Sequence, residues 1–461
     1  MTESSPQLQR GLNTLHATSL NVANMLGAGP FITIPLLLGA MVGPQGMIGW
    51  VLAMLIVMCD GLVWAELGAA FPGSGGTYHY FREIFRGSAW GRFLPFLFIW
   101  QFLVSGTLEL ASGYIAASEF AMTLWPAYGK TAQLWNLTEK AIVGIPASLM
   151  VMAIFVLLCQ RIRSLGWFST ILVTGVLIAV GTVIVLGVRN FDASLITFPE
   201  NAFRLDRKFV VGLGAATSIA VYDYLGYYNI CHLGEEVRNP EKTIPRAVLI
   251  SVVLVACIYM AMNFAFIGVV PWQETQVDGS VAKKNIAGAF MGKLYGDTAA
   301  KAFTGLIIWT CLASVFAMTL GYSRILYAAS KNGDFFKFFA ALHPTRGYPW
   351  ASLALLSAMT AFFCFFPLKT VINGAVTVRI VIQFIGQIFA LHVVRRERAH
   401  AMPFRMWLYP IPSLIALVGW IFLLSTSAIE VLSLLFIVYG SGLFVYILRD
   451  QIMPHRGSIS Q

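Results

Sequence analysis

The chain repeatedly runs for close to twenty residues without a charge. Ala141 to Leu158, Thr170 to Val188 and Leu249 to Val270 contain no Asp, Glu, Lys or Arg, and Val51 to Ala65, Phe93 to Val104 and Ala351 to Phe366 contain at most one. A helix rising 1.5 Å per residue needs about 20 residues to cross about 30 Å of hydrocarbon, and in lipid only a helix or a closed barrel satisfies its own backbone. About twelve such stretches follow one another, so the expected fold is an all-α membrane protein. The spans are expected at 14–41, 45–71, 93–124, 142–160, 167–188, 208–233, 247–270, 300–330, 350–366, 370–393, 407–426 and 430–448.

Composition agrees, with 58% hydrophobic and 11% charged residues and a mean hydropathy of +0.74. The longest loops, Leu124 to Lys140, Arg189 to Lys208 and Pro271 to Lys301, leave no room for a soluble catalytic domain. A net charge of +10 does not imply nucleic acid, because Lys and Arg stand in short patches between apolar runs. The patches follow topology instead. Arg82, Arg86, Arg92, Arg161, Arg163, Arg238, Lys242, Arg246, Arg395 and Arg396 collect on one side, roughly nineteen basic residues against eleven, which places both termini in the cytoplasm of a multi-pass cell-membrane protein. The first apolar run lacks a cleavage pattern and reads as an uncleaved first span. Six isolated cysteines and seven scattered histidines show no ligand spacing, so neither a metal nor a cofactor is expected.

Two spans differ from the rest. The first contains Gly27-Ala28-Gly29-Pro30 and the sixth Tyr222-Asp223-Tyr224-Leu225-Gly226, each near its middle. Glycine costs about 1 kcal/mol in a helix interior and proline about 3, so both spans are expected to break there. Matched breaks in two halves point to an inverted-repeat transporter with its substrate site at the breaks. A five-helix repeat pairs span one with span six and reverses orientation. It divides the chain into a tail (1–13), a first repeat (14–188), a second repeat (208–393), two added helices (407–448) and a second tail (449–461).

Unwound helix ends carry bare peptide groups. Amides of Gly27, Ala28 and Gly29 are candidates to hold a carboxylate, and carbonyls around Ala23, Asn24, Ile219 and Ala220 to accept from an ammonium. An α-amino acid has both groups. A charge at the centre of a membrane helix costs at least about 2.5–3.5 kcal/mol, which singles out Asp60, Glu109, Asp223 and Arg379. Asp223 is the first candidate to bind an amine or a coupling proton; capping the broken helix or pairing with Arg379 is the structural alternative. Glu109 has the same two readings, and Asp60 reads as structural, alongside Arg379. Tyr222 is either an aromatic gate, with Tyr224 and Tyr227 nearby, or a space filler. His232 is a weak candidate for a proton relay.

These features, with several loops, resemble the amino acid–polyamine–organocation superfamily, particularly its L-type amino-acid transporter and polyamine-uptake branches. Gly27-Ala28-Gly29-Pro30-Phe31 stands where that family unwinds its first span, and Ala65-Glu66-Leu67 with Phe71-Pro72-Gly73-Ser74-Gly75-Gly76-Thr77-Tyr78 resembles its loop after span two. Glu235-Glu236-Val237-Arg238-Asn239-Pro240 through Ala247 and Arg324 through Asp334 resemble its loop after span six and the end of span eight. The resemblance implies a LeuT-like five-plus-five fold in which spans 1, 2, 6 and 7 rock against a scaffold, with Tyr222 at the position of the aromatic gate. Three departures stand out. Ala28 replaces a frequent serine, Val176 stands where many relatives carry a lysine, and Glu109 and Asp223 exceed what a neutral amino acid needs. The resulting expectation is a permease that moves amino acids by alternating access, proton-coupled or exchanging. A carrier of polyamines or other cationic amines with the same fold is the alternative, and a non-transporting sensor or channel a third. The expected partners are a small solute, protons and the lipid bilayer.

Overall fold

The computed structural model describes residues 11–27, 29–128, 138–159, 165–344, 346–398 and 402–452. Helical segments occupy the neighbourhood of every expected span, and among the described residues there are only two isolated β-bridges and no strand. In chain order the helices are α1 (Thr14–Met25), α2 (Gly29–Met41), α3 (Ile48–Ala70), α4 (Thr77–Ile84), α5 (Trp90–Leu124), α6 (Glu139–Leu158), α7 (Leu165–Arg189) and α8 (Arg207–Tyr224). They continue with α9 (Pro240–Ile267), α10 (Ile286–Lys331), α11 (Trp350–Phe363), α12 (Leu368–Arg379), α13 (Gln387–Arg398), α14 (Ile411–Thr426) and α15 (Ile429–Ile452). Seven of the described helices are long and apolar enough to cross a bilayer, and α1 with α2, bent by 53° across their break, would make an eighth.

Local signals explain several boundaries. Asn13 caps α1 by accepting from the His16 N–H at 2.9 Å, Asp206 caps α8 by accepting from Phe209 at 2.8 Å, and Asn285 caps α10 by accepting from Gly288 at 2.8 Å. Pro240 opens α9, where its missing N–H is harmless. In the sixth span the helix ends at Tyr224, within the stretch 222–226 where a break is expected, and the chain to His232 is turn and 3-10 helix. A kink at Gly296, whose φ of 81° suits a residue without Cβ, divides α10 into a short helix and a second one running to Lys331, so the long helix of the eighth span starts close to the expected residue 300. The tenth carries a π segment, Ile380–Gly386, between α12 and α13.

Polarity is distributed as in a lipid-facing protein. Leu149, Met152, Leu177, Ile178, Phe436, Ile437 and Phe444 are exposed on outward faces. Buried polar side chains such as Asn21, Asp60, Glu109, Asp223 and Arg379 gather between helices, where each needs a partner.

Candidate functional site

The first break falls between Met25 and Gly29, with Ala28 outside the described residues. The Met25 carbonyl accepts from the Gly27 N–H at 2.8 Å and from the Tyr259 hydroxyl of α9 at 2.5 Å. That hydroxyl also lies 3.2 Å from the Asp223 carbonyl, at the end of α8. One buried tyrosine therefore stands between the loose ends of both breaks.

Asn21, fully buried on α1, serves the second break. Its Nδ2 donates to the Tyr227 carbonyl at 2.6 Å, and its Oδ1 accepts from the Ile230 N–H at 2.9 Å. Gly226 makes the turn possible, because its φ is +104° and a Cβ there would stand 2.3 Å from Asn24 Nδ2. The second break thus follows Tyr224, and Ile219 and Ala220 are corrected: both lie inside unbroken α8 and are fully buried away from the gap. The carbonyls brought to the breaks are those of Met25 and Asp223. Asn24 lines the gap with its side chain, whereas Ala23 belongs to the last turn of α1 and does not line it.

The Asp223 side chain reaches from α8 to the first residue of α2. Thr33 donates to its Oδ2 at 2.5 Å, while buried Oδ1 has no hydrogen-bond partner among the described residues. A Cβ on Gly29 would stand 2.2 Å from that oxygen, so only glycine admits the carboxyl there. Asn24, Gly27, Gly29, Glu109, Tyr222 and Asp223 all border one cavity of about 40 Å³. This is room for water but far below the roughly 300 Å³ of small-ligand sites, so the site is closed around its own groups. Tyr222 covers it from α8, its hydroxyl 2.5 Å from Ser112 Oγ; Ser112 itself donates to the Glu109 carbonyl, leaving Tyr222 as donor.

On the end of the bundle that carries the N-terminal segment, the N–H groups of Gly11 and Leu12 both donate to the Glu236 carbonyl at 3.0 Å, and Arg238 donates back to Leu12 at 2.9 Å. Beyond Ile32, at the opposite end, a vestibule of about 970 Å³ opens.

The sequence model of the amino acid permease family matches residues 12–446. The chain belongs to that family. The permease is 26% identical over 436 residues to the serine/threonine exchanger SteT of Bacillus subtilis, covering 92% of each chain. It is also 26% identical to the mouse cationic amino acid transporter 4 (77% of this chain, 55% of that one) and to the human cystine/glutamate transporter (78% and 68%). The family and these relatives are transporters, not enzymes.

Within the permease the four intramembrane charges separate. Arg379 pairs with Glu109, Nη2 to Oε2 at 2.5 Å, and the Tyr322 hydroxyl donates to the same oxygen at 2.6 Å. Arg379 Nε also donates to Ser105 at 3.2 Å, and Nη1 to the Tyr228 hydroxyl at 3.4 Å. Asp223 has no ion pair among the described residues. Asp60 is not an ion-pair member either: it accepts from the Tyr227 hydroxyl and from Trp420 Nε1 at 3.0 Å, a hydrogen-bonding role that links α3 and α14 to the second break.

Sequence reasoning missed Asn21, Thr33, Ser112 and Tyr259. Each is an uncharged polar residue within an expected span, a signal that charge counting passes over. The Glu66 of the loop motif is structural, since Arg395 grips it with two bonds of 2.6 Å and the Met406 N–H adds a third at 2.9 Å.

Proposed function

We propose that the chain is a twelve-span amino acid carrier of the LeuT-like five-plus-five type, with repeats at 14–188 and 208–393, helices 407–448 added and both termini cytoplasmic. It works by alternating access. In this reading Gly27, Ala28 and Gly29 receive the substrate carboxylate, the Met25 and Asp223 carbonyls its ammonium, and Tyr222 closes over it. The observation that carries the reading is the pair of breaks meeting at the Tyr259 hydroxyl around a cavity bordered by backbone and one lone carboxyl. The ammonium competes with the Tyr259 hydroxyl for the Met25 and Asp223 carbonyls.

One observation favours the cationic-amine alternative. Asp223 lies buried beside the N-terminus of α2 with no ion pair among the described residues, and a carboxylate at membrane depth carries a cost that a proton or a bound ammonium would relieve. It is therefore the proposed proton carrier for an amino acid substrate, or the anchor of a second ammonium for a diamine. Glu109, already held by Arg379, is assigned to structure.

Counterflow into proteoliposomes decides. Vesicles preloaded with any of the twenty standard L-amino acids should accumulate the labelled form, and Asp223→Asn should abolish coupling to a proton gradient while exchange persists. Accumulation of putrescine in place of amino acids would establish the alternative, and no counterflow with either would remove the transport reading.

A further inference from the structure

The vestibule above Ile32 has features that the closed site does not use. Its walls include Phe31, Leu36 and Phe120 and carry two charged groups, Glu119 on α5 and Lys284 just before α10. Among the described residues neither makes a hydrogen bond or an ion pair within 4.0 Å, although the field of Lys284 reaches Glu119. Lys283 differs, because Asp278 holds it at 2.5 Å. The position of Lys284 is fixed by its neighbour. Buried Asn285 donates to Thr123, one turn beyond Glu119 on α5, at 3.1 Å and to Thr304 at 2.7 Å. That anchor holds the backbone beside Lys284 against the helix that carries Glu119, so both line the same vestibule.

We propose that this vestibule is a second, outer binding site for a free α-amino acid, with its ammonium on Glu119, its carboxylate on Lys284 and its side chain against Phe31, Leu36 and Phe120. The proposal rests on the transport reading for its purpose, as a waiting place before entry past Ile32, but not for its chemistry. A volume of about 970 Å³ admits a whole amino acid, which the 40 Å³ inner cavity does not. The opposite charges select zwitterions over diamines, which offer Lys284 nothing, and over simple carboxylates, which offer Glu119 nothing.

The test uses the full chain with a cysteine at Met122, a half-buried vestibule residue one turn from Glu119. Alkylation of Met122→Cys by a membrane-impermeant maleimide is read against the parent chain. An equimolar mixture of the twenty standard L-amino acids should slow it roughly fivefold at saturation, as occupancy of the site requires. The N-acetylated mixture, lacking the ammonium, and the amidated mixture, lacking the carboxylate, should not. Glu119→Gln and Lys284→Met should each abolish protection, Glu119→Asp should retain part of it, and Asp223→Asn should leave it intact. Protection that survives Glu119→Gln, that is lost in Asp223→Asn, or that never appears overturns the proposal. Counterflow run in parallel keeps the two readings apart: protection without counterflow removes only the carrier mechanism, and counterflow without protection removes only the outer site.

Discussion

Gly29 carries two functions at one atom's distance. It begins α2, and its missing side chain admits Asp223 Oδ1 to the space a Cβ would fill at 2.2 Å. Gly29→Ala is therefore expected to abolish transport and lower thermal stability, and the same change at Gly305, where a Cβ would meet nothing within 4 Å, should do neither. The Glu109–Arg379 pair gives a second expectation. Neutralising one partner leaves a buried charge alone and should cost about 3–5 kcal/mol, whereas Glu109→Gln with Arg379→Gln should cost much less than the sum. Melting curves of the three variants check this. The sequence marked all four intramembrane charges but not their pairing, because pairing is decided by which helices meet. Tyr322 and Ser105, which complete the cage around Arg379, are 217 residues apart in the chain (322 − 105) and share no local pattern.

At the level of helices, the breaks are held by side chains from neighbouring elements, Tyr259 of unbroken α9 between both and Asn21 of α1 at the second. Removing the Tyr259 hydroxyl in Tyr259→Phe deprives the Met25 carbonyl of its closest partner, at an expected cost of about 1–3 kcal/mol. Amide exchange should rise at Leu26, Gly27 and Leu225 while the middle of α9 stays protected; uniform exchange across all three helices would contradict the assignment. The π segment is handled similarly. Tyr439 of α15 donates to the Val378 carbonyl at 2.7 Å and accepts from the Ile382 N–H at 3.3 Å, meeting both kinds of backbone group that the widened turn releases. Nothing in Ile380 to Gly386 announces a wider turn, since its partner comes from the other end of the chain. The breaks were legible because glycine and proline act locally. The carbonyls freed at the second break lie later than Ile219 and Ala220, because the helix keeps its geometry through Tyr224 and Gly226, two residues on, absorbs the turn.

For the molecule as a whole, the N-terminal segment holds the closed end. Leu12 and Val237 form a parallel bridge, and Ser74 and Leu233 an antiparallel one, fastening the chain before α1 and the loop after α3 to the loop after the second break. Leu12→Cys with Val237→Cys should cross-link under mild oxidant and stop transport, and reductant should restore it; continued transport in the oxidised protein would show that this end need not part. Across the bundle, the contacts of the breaks divide unevenly. Asn21, Tyr227, Ser251, Tyr259 and Asp60 all lie on or beside α1, α3, α8 and α9, whereas few bonds, such as Tyr222 to Ser112 and Arg379 to Tyr228, cross to α5 and α12. In the alternating-access reading proposed above, the mended helices would travel as one piece, carrying their own repairs with them. In that reading a swing would have to undo the hydroxyl contacts at Ser112 and Tyr228 and also the Glu66–Arg395 grip and the Asp60–Trp420 bond, which fasten α3 to α13 and α14, so the slow step would lie along this seam rather than at the fractures themselves.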